Sequence, residues 1–151
     1  MNTSQKITID QILAKKKKGE KITMLTAYDY PLAGLVDQCG IDIILVGDSL
    51  ANVVLGLEST REVGMEIMLH HAKAVRRAVK RALLVGDMPF GSYFDFDQAE
   101  ENALRFVEEA GCEAVKLEWS ENCLEVVAEI IARTGIPIMG HVGLTPQTAD
   151  A

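Results

Sequence analysis

"DIILVGDSLANVVLG", Asp42 to Gly56, is the stretch on which the reading of the fold turns. Ile43, Ile44, Leu45 and Val46 form an unbroken apolar run, Gly47 ends it, and an acid and a hydroxyl, Asp48 and Ser49, come at once after it. An apolar run without polar alternation is the pattern of a strand covered on both faces, as in a parallel sheet. The phrase returns as "LLVGDM" at Leu83 to Met88. A carboxylate just past the end of a buried strand needs a reason, and here there are two in equivalent places.

Working outward, short and mostly apolar runs recur at Ile22–Leu25, Ile41–Val46, Ala82–Val85, Glu113–Leu117 and Ile136–Gly140. Segments with helical spacing separate them. "DYPLAGLVDQCG" puts Leu32, Leu35 and Val36 on one face and stops at Gly40. "TREVGMEIMLHHAKAVRRAV" is expected as one longer helix. "DQAEENALRFVEEAG" has Asp97 as N-cap, Glu100 three residues on and Gly111 as its stop, and "SENCLEVVAEIIARTG" repeats that plan from Ser120 to Gly135. Ahead of the first strand, Thr8 and Gln11 stand in capping-box spacing.

Strand and helix in alternation predict a parallel sheet with helices on its faces. The interval from Leu84 to Val115 is about one unit of an eight-fold barrel, whose roughly 250 residues divide into eight. After the fifth run comes "HVGLTPQTADA", with no helix of the kind that closes a five-stranded doubly wound sheet. The chain therefore reads as a single domain over residues 1–151, the first five units of a (β/α)8 TIM-type barrel, cut short. Open strand edges would invite non-native pairing, so the remaining strands are expected from elsewhere or from a longer protein.

The bulk numbers agree with a globular protein: 151 residues, 48% hydrophobic, net charge -7. That acidic balance argues against nucleic acid. The basic run Lys15–Lys18 sits where it suits the negative end of a helix dipole. Cys39, Cys112 and Cys123 lack metal-ligand spacing and read as small buried thiols in a reducing compartment. No stretch approaches the roughly 18 apolar residues of a membrane span, and the amino-terminal ten residues lack the apolar centre of a signal peptide. The cytoplasm is the expected location.

In parallel α/β folds ligands bind at the carboxyl ends of the strands. The polar residues just past the successive runs are Thr26, Tyr28 and Asp29, then Asp48 and Ser49, then Asp87, then Lys116 and Glu118, then His141. Lys116 and Glu118, two apart, share a side if the strand persists. A lone Asp after a strand is more often a cap or turn residue than a ligand. Three acids, Asp48, Asp87 and Glu118, converging on one end of a sheet repel one another unless a cation lies among them. Magnesium, which takes oxygen ligands at about 2.0–2.1 Å, suits such a place. Lys116 then either meets an anionic substrate or balances the acids. His141 reads equally as a turn histidine or a site residue, and His70 and His71 as surface or packing residues. The glycines of "VGD" do not make a dinucleotide fingerprint.

"TAYDY" (26–30), "LVGDSL" (45–50), "HHAKAVRRA" (70–78), "GDMPF" (86–90), "AVKLE" (114–118) and "GHVGLTPQ" (140–147), in this order, closely resemble the ketopantoate hydroxymethyltransferase family. The "VGDSL" phrase also occurs in phosphoenolpyruvate mutase and isocitrate lyase relatives; "GHVGLTPQ" is far more specific. The resemblance implies a (β/α)8 barrel and a bound magnesium ion. It implies transfer of a hydroxymethyl group from 5,10-methylenetetrahydrofolate to 3-methyl-2-oxobutanoate, giving 2-dehydropantoate in pantothenate biosynthesis through a magnesium-stabilised enolate. Carried across, Asp48, Asp87 and Glu118 look like metal-site residues, Glu118 directly or through water. Asp48, Ser49, Asp87, Lys116 and His141 look like substrate contacts. The resemblance also implies a homo-oligomer, typically a decamer. The family's general base is a glutamate on a later strand, beyond Ala151, so these residues alone are expected to be inactive. The alternatives are a phosphoenolpyruvate mutase-like keto-acid enzyme and a non-catalytic truncated product.

Overall fold

A computed structural model describes residues 5–149. Strand β2, Ile43–Val46, is buried along its whole length. It pairs with β1 (Met24–Thr26) on one side and β3 (Leu83–Asp87) on the other. Beyond β3 lie β4 (Ala114–Glu118) and β5 (Ile138–His141), and every pairing is parallel. The spatial order β1-β2-β3-β4-β5 is the order along the chain. Each crossover therefore steps in the same direction, which winds a sheet toward a barrel. A doubly wound sheet would reverse at an inner strand. The expected α/β barrel architecture is present as five parallel strands.

The intervening helices are α1 (Ile9–Lys18), α2 (Tyr30–Gln38), α3 (Leu50–Val53), α4 (Met65–Ala78), α5 (Phe96–Glu108) and α6 (Cys123–Thr134). The capping box of Thr8 and Gln11 forms at the start of α1. Helix α5 starts two residues earlier than expected. Asp95 is its N-cap, accepting from the backbone N–H groups of Asp97 and Gln98, so Asp97 lies inside the first turn. The long helix expected from Thr60 onward is two pieces. A 3-10 turn at Thr60–Glu62, boxed by Ser59 and Glu62, is followed by extended Val63 and Gly64 before α4 begins. Cys112 and Cys123 are buried as expected, but Cys39 is exposed at the end of α2.

Side-chain alternation divides the sheet into two faces. Ile44, Val46, Leu84, Val115 and Leu117 pack outward into the core shared with the helices. Ile43, Leu45, Leu83, Val85 and Ala114 face inward, where Ile7, Ile9 and Ile12 cover them. Helix α1 thus closes the amino-terminal end of the sheet. It is tied there by Lys15, whose ammonium donates to both oxygens of buried Asp42 at 2.7 and 2.8 Å. Lys15 is part of the basic run read as a solvated helix end; Lys16–Lys18 are exposed, and Lys15 is not. On the same side, the Asp37 carboxylate accepts from the backbone N–H groups of Lys80, Arg81 and Ala82 and holds the turn into β3.

One outward position has no room for a side chain. A Cβ on Gly86 would lie 2.4 Å from the Phe106 ring, so α5 packs directly on the backbone of β3. The inward parity that makes Leu83 and Val85 apolar reaches Asp87 at the end of β3. The parity of Ala114 likewise reaches Lys116 and Glu118 in β4. The inner face changes from apolar to charged toward the carboxyl ends of the strands. Along the edge strand β1 it is open, with Met24, the register partner of Ile43, exposed by 44%.

Candidate active site

The charged end of the inner face gathers Asp48, Asp87, Lys116 and Glu118, each no more than 8% exposed. Strand register brings the middle pair together. Asp87 and Lys116 are Cα partners across β3 and β4, and Lys116 Nζ lies 2.7 Å from Asp87 Oδ1. The Asp48 backbone N–H donates to Asp87 Oδ2 at 3.1 Å. Burial pushes the Asp87 carboxyl up to about 7; Lys116 opposes the rise and the charge of Asp48 adds to it. Lys116 approaches Asp87 Oδ1 off the hydrogen-bonding direction, leaving that buried oxygen without a hydrogen bond.

Glu118 and His141 are also register partners, at the ends of β4 and β5. His141 Nδ1 lies 3.3 Å from Glu118 Oε1. His141 is thus a strand residue beside a site carboxylate and not a turn residue. Ser49 is half-buried on the other flank, its Oγ 2.8 Å from the Tyr28 hydroxyl. The Tyr28 carbonyl accepts from His71 Nδ1 at 2.7 Å, which gives one of the mid-helix histidines a task. Asp29 caps α2 by accepting from the Leu32 N–H at 2.8 Å.

The residue that joins these parts, Gln147, closes the "GHVGLTPQ" segment, whose specificity is the one sequence signal at this position, and it is not among the expected site residues. It is fully buried in a segment whose Val142 and Leu144 are exposed by 74% and 76%. Its Nε2 donates to Asp48 Oδ2 at 2.8 Å and to the Met88 carbonyl at 3.1 Å. Its backbone N–H donates to Glu118 Oε2 at 3.0 Å, and its Oε1 accepts from the Tyr93 hydroxyl at 2.5 Å. Burial pushes the Tyr93 hydroxyl well above the usual phenol range, which keeps it a donor. Arg61 Nε donates to the Gln147 carbonyl at 2.6 Å. Nothing in a single sequence marks a glutamine 99 residues from Asp48 as its partner.

Three buried carboxylates face one buried ammonium, so the site is short of positive charge. Asp87, a buried acid with an oxygen that accepts no hydrogen bond, suits a hard cation. As the side chains lie, no three His, Cys, Asp or Glu among the described residues gather closely enough to hold a metal ion. Asp48 and Asp87 adjoin through the Asp48 N–H, whereas Glu118 is held by Gln147 and His141.

Parallel strands in sequential order with acids at their carboxyl ends define the class as a β/α protein of the barrel type. The solved structures agree on the fold. Phosphonopyruvate hydrolase, in a complex with oxalate and Mg, superposes with a TM-score of 0.70 at 16% identity over 89% of this chain and 52% of its own. For 2,3-dimethylmalate lyase of the PEP mutase/isocitrate lyase superfamily the values are 0.67, 12%, 87% and 51%. Sequence narrows the class further. Residues 6–151 match the family described as ketopantoate hydroxymethyltransferase. The 3-methyl-2-oxobutanoate hydroxymethyltransferase of Syntrophomonas wolfei is 56% identical over 144 residues, 95% of this chain and 52% of that protein. That of Ignicoccus hospitalis is 56% identical over 148 residues, 97% of this chain and 56% of that protein. The chain belongs to the ketopantoate hydroxymethyltransferase family, and it spans about half the length of these curated relatives. Among the described residues no helix is long and apolar enough to cross a membrane.

Proposed function

We propose that this chain carries the keto-acid and metal half of an enzyme that transfers a hydroxymethyl group to 3-methyl-2-oxobutanoate. The observation that supports it most is the buried excess of carboxylate at the strand ends, Asp48 and Asp87 beside a single ammonium, Lys116. Asp48 and Asp87 would hold the cation, magnesium, with Glu118 beside them. A cation held there would supply positive charge at the keto oxygen when the neighbouring carbon loses its proton.

The chain's own residues supply the rest. Lys116 meets the substrate carboxylate while staying beside Asp87. Ser49, steadied by Tyr28, donates a hydrogen bond to the substrate, and His141 closes the side nearest Glu118. The one-carbon donor is 5,10-methylenetetrahydrofolate, the product 2-dehydropantoate, and the working form a cytoplasmic homo-oligomer. Residues 1–151 form the amino-terminal part of a (β/α)8 barrel, and the general base lies outside them. Turnover therefore needs the part of the family's length that this chain does not span.

Thermal melts of the 151-residue protein test the binding half. Mg2+ and 3-methyl-2-oxobutanoate together should raise the melting temperature, because a ligand at 100 times its Kd stabilises the folded state by about 2.7 kcal/mol. Asp48→Asn and Asp87→Asn should remove the shift. A melt insensitive to millimolar ligand would overturn the reading. Robust hydroxymethyl transfer by these residues alone would overturn the claim that the base is absent.

A further inference from the structure

Gln147 donates from its side chain and from its backbone to two different carboxylates of the site. The side-chain amide bonds Asp48 Oδ2 at 2.8 Å, and the backbone N–H bonds Glu118 Oε2 at 3.0 Å. Among the described residues no hydrogen bond reaches Asp48 Oδ1. The amide is not free to turn over: the Tyr93 hydroxyl at Oε1 and the Met88 carbonyl at Nε2 leave only the nitrogen facing Asp48. With the amide reversed, Oε1 would face the Asp48 carboxylate and Nε2 the Tyr93 hydroxyl, losing the bond to Asp48. Arg61 holds the backbone of the same residue from outside the site.

We infer that Gln147 is a positioning residue, oriented by Tyr93, which fixes Asp48 so that one oxygen is presented to a divalent cation while Glu118 is held back from it. This rests on the reading of Asp48 and Asp87 as cation ligands. Partners that orient a ligand from behind act on a metal site nearly as strongly as the ligands do, typically ten- to a hundredfold in affinity. A neutral amide suits this task better than a fourth acid, because it donates to Asp48 without adding to the negative charge.

The test uses Mn2+ as the probe, bound to the 151-residue protein and followed by electron paramagnetic resonance. The titration gives the affinity, and the spectrum with the count of water molecules on the bound ion gives the ligand arrangement. Gln147→Met keeps the bulk and removes the amide. Tyr93→Phe removes only the hydroxyl that orients it, and remains informative if the first variant fails to fold. The expected result is an affinity about tenfold or more weaker in Gln147→Met, a smaller loss in Tyr93→Phe, and a changed Mn2+ spectrum in both. A folded variant whose spectrum and affinity match the parent, whatever its melting temperature, would overturn the inference and leave the cation reading intact. A parent protein that binds no Mn2+ would instead overturn the cation reading, and the positioning role with it.

Discussion

Lys116 Nζ stands 2.7 Å from Asp87 Oδ1 across two strands whose Cα atoms are paired in register. The contact is a direct result of parallel pairing, since residues opposite one another on the same face must meet. Removing one partner of a buried ion pair leaves the other uncompensated, at a cost of about 3 kcal/mol. Lys116→Met should lose that much in urea unfolding at pH 8. At pH 6 the loss should be smaller, because Asp87 can then take up a proton. Equal losses at the two pH values would contradict the pairing.

Asp87 makes a second prediction through its own titration. Its folded pKa is raised from 3.8 to about 7 by burial, with Lys116 opposing. A carboxyl with a raised folded pKa contributes stability that is fully present below the unfolded value and is lost as pH rises through the folded one. The wild-type protein should therefore lose stability between about pH 4 and 7 on account of this group. Asp87→Asn should flatten that slope in denaturation curves taken across the window. An unchanged slope would show that other groups set it.

Asp37 has the opposite sign. Burial disfavours its charge, but the N–H groups of Ala82, Lys80 and Arg81 outweigh burial and hold its carboxyl below the usual range. Its contribution is present above the unfolded value of 3.8 and is lost as pH falls through the lower folded one. Asp37→Ala should cost about 3 kcal/mol at pH 7, from several hydrogen bonds to a charged acceptor. In acid the gap between variant and parent should narrow. A variant as stable as the parent at pH 7 would refute the role given to this turn.

Gly86 tests the packing of α5 on β3. With a Cβ only 2.4 Å from Phe106 Cδ1, Gly86→Ala forces the ring or the helix to move. Overpacking of this kind costs about 1–3 kcal/mol. The same substitution made in a Phe106→Leu background should cost clearly less. Additive losses in the double-mutant cycle would mean that the two residues do not meet.

Ser49 separates substrate contact from metal contact in the proposed function. Ser49→Ala should weaken the stabilisation by 3-methyl-2-oxobutanoate several-fold, an effect of about 1 kcal/mol, and leave Mn2+ affinity unchanged. Loss of both would place Ser49 with the metal ligands instead.

The linear chain was enough to read the five strands, their covering helices and the acids at the strand ends. Apolar runs and helical periods are local patterns, and a parallel sheet puts the residue after each run at one common end. Even the shared side of Lys116 and Glu118 is set by a spacing of two. Boundaries were less legible. Asp95 and Asp97 are both good caps, and only the path of the loop into α5 selects the first. Val63 and Gly64 interrupt a helical pattern that the residues alone allow to continue.

What tertiary structure alone decided is how the acids share their partners. Which ammonium meets which carboxylate depends on strand register, and the place of Gln147 depends on a loop returning from the end of β5 to the ends of β2 and β4. Such contacts join residues far apart in the chain through hydrogen bonds whose geometry no local pattern encodes. The sequence determined that carboxylates would gather at the mouth of the sheet. The fold determined that a lysine and a buried amide stand between them.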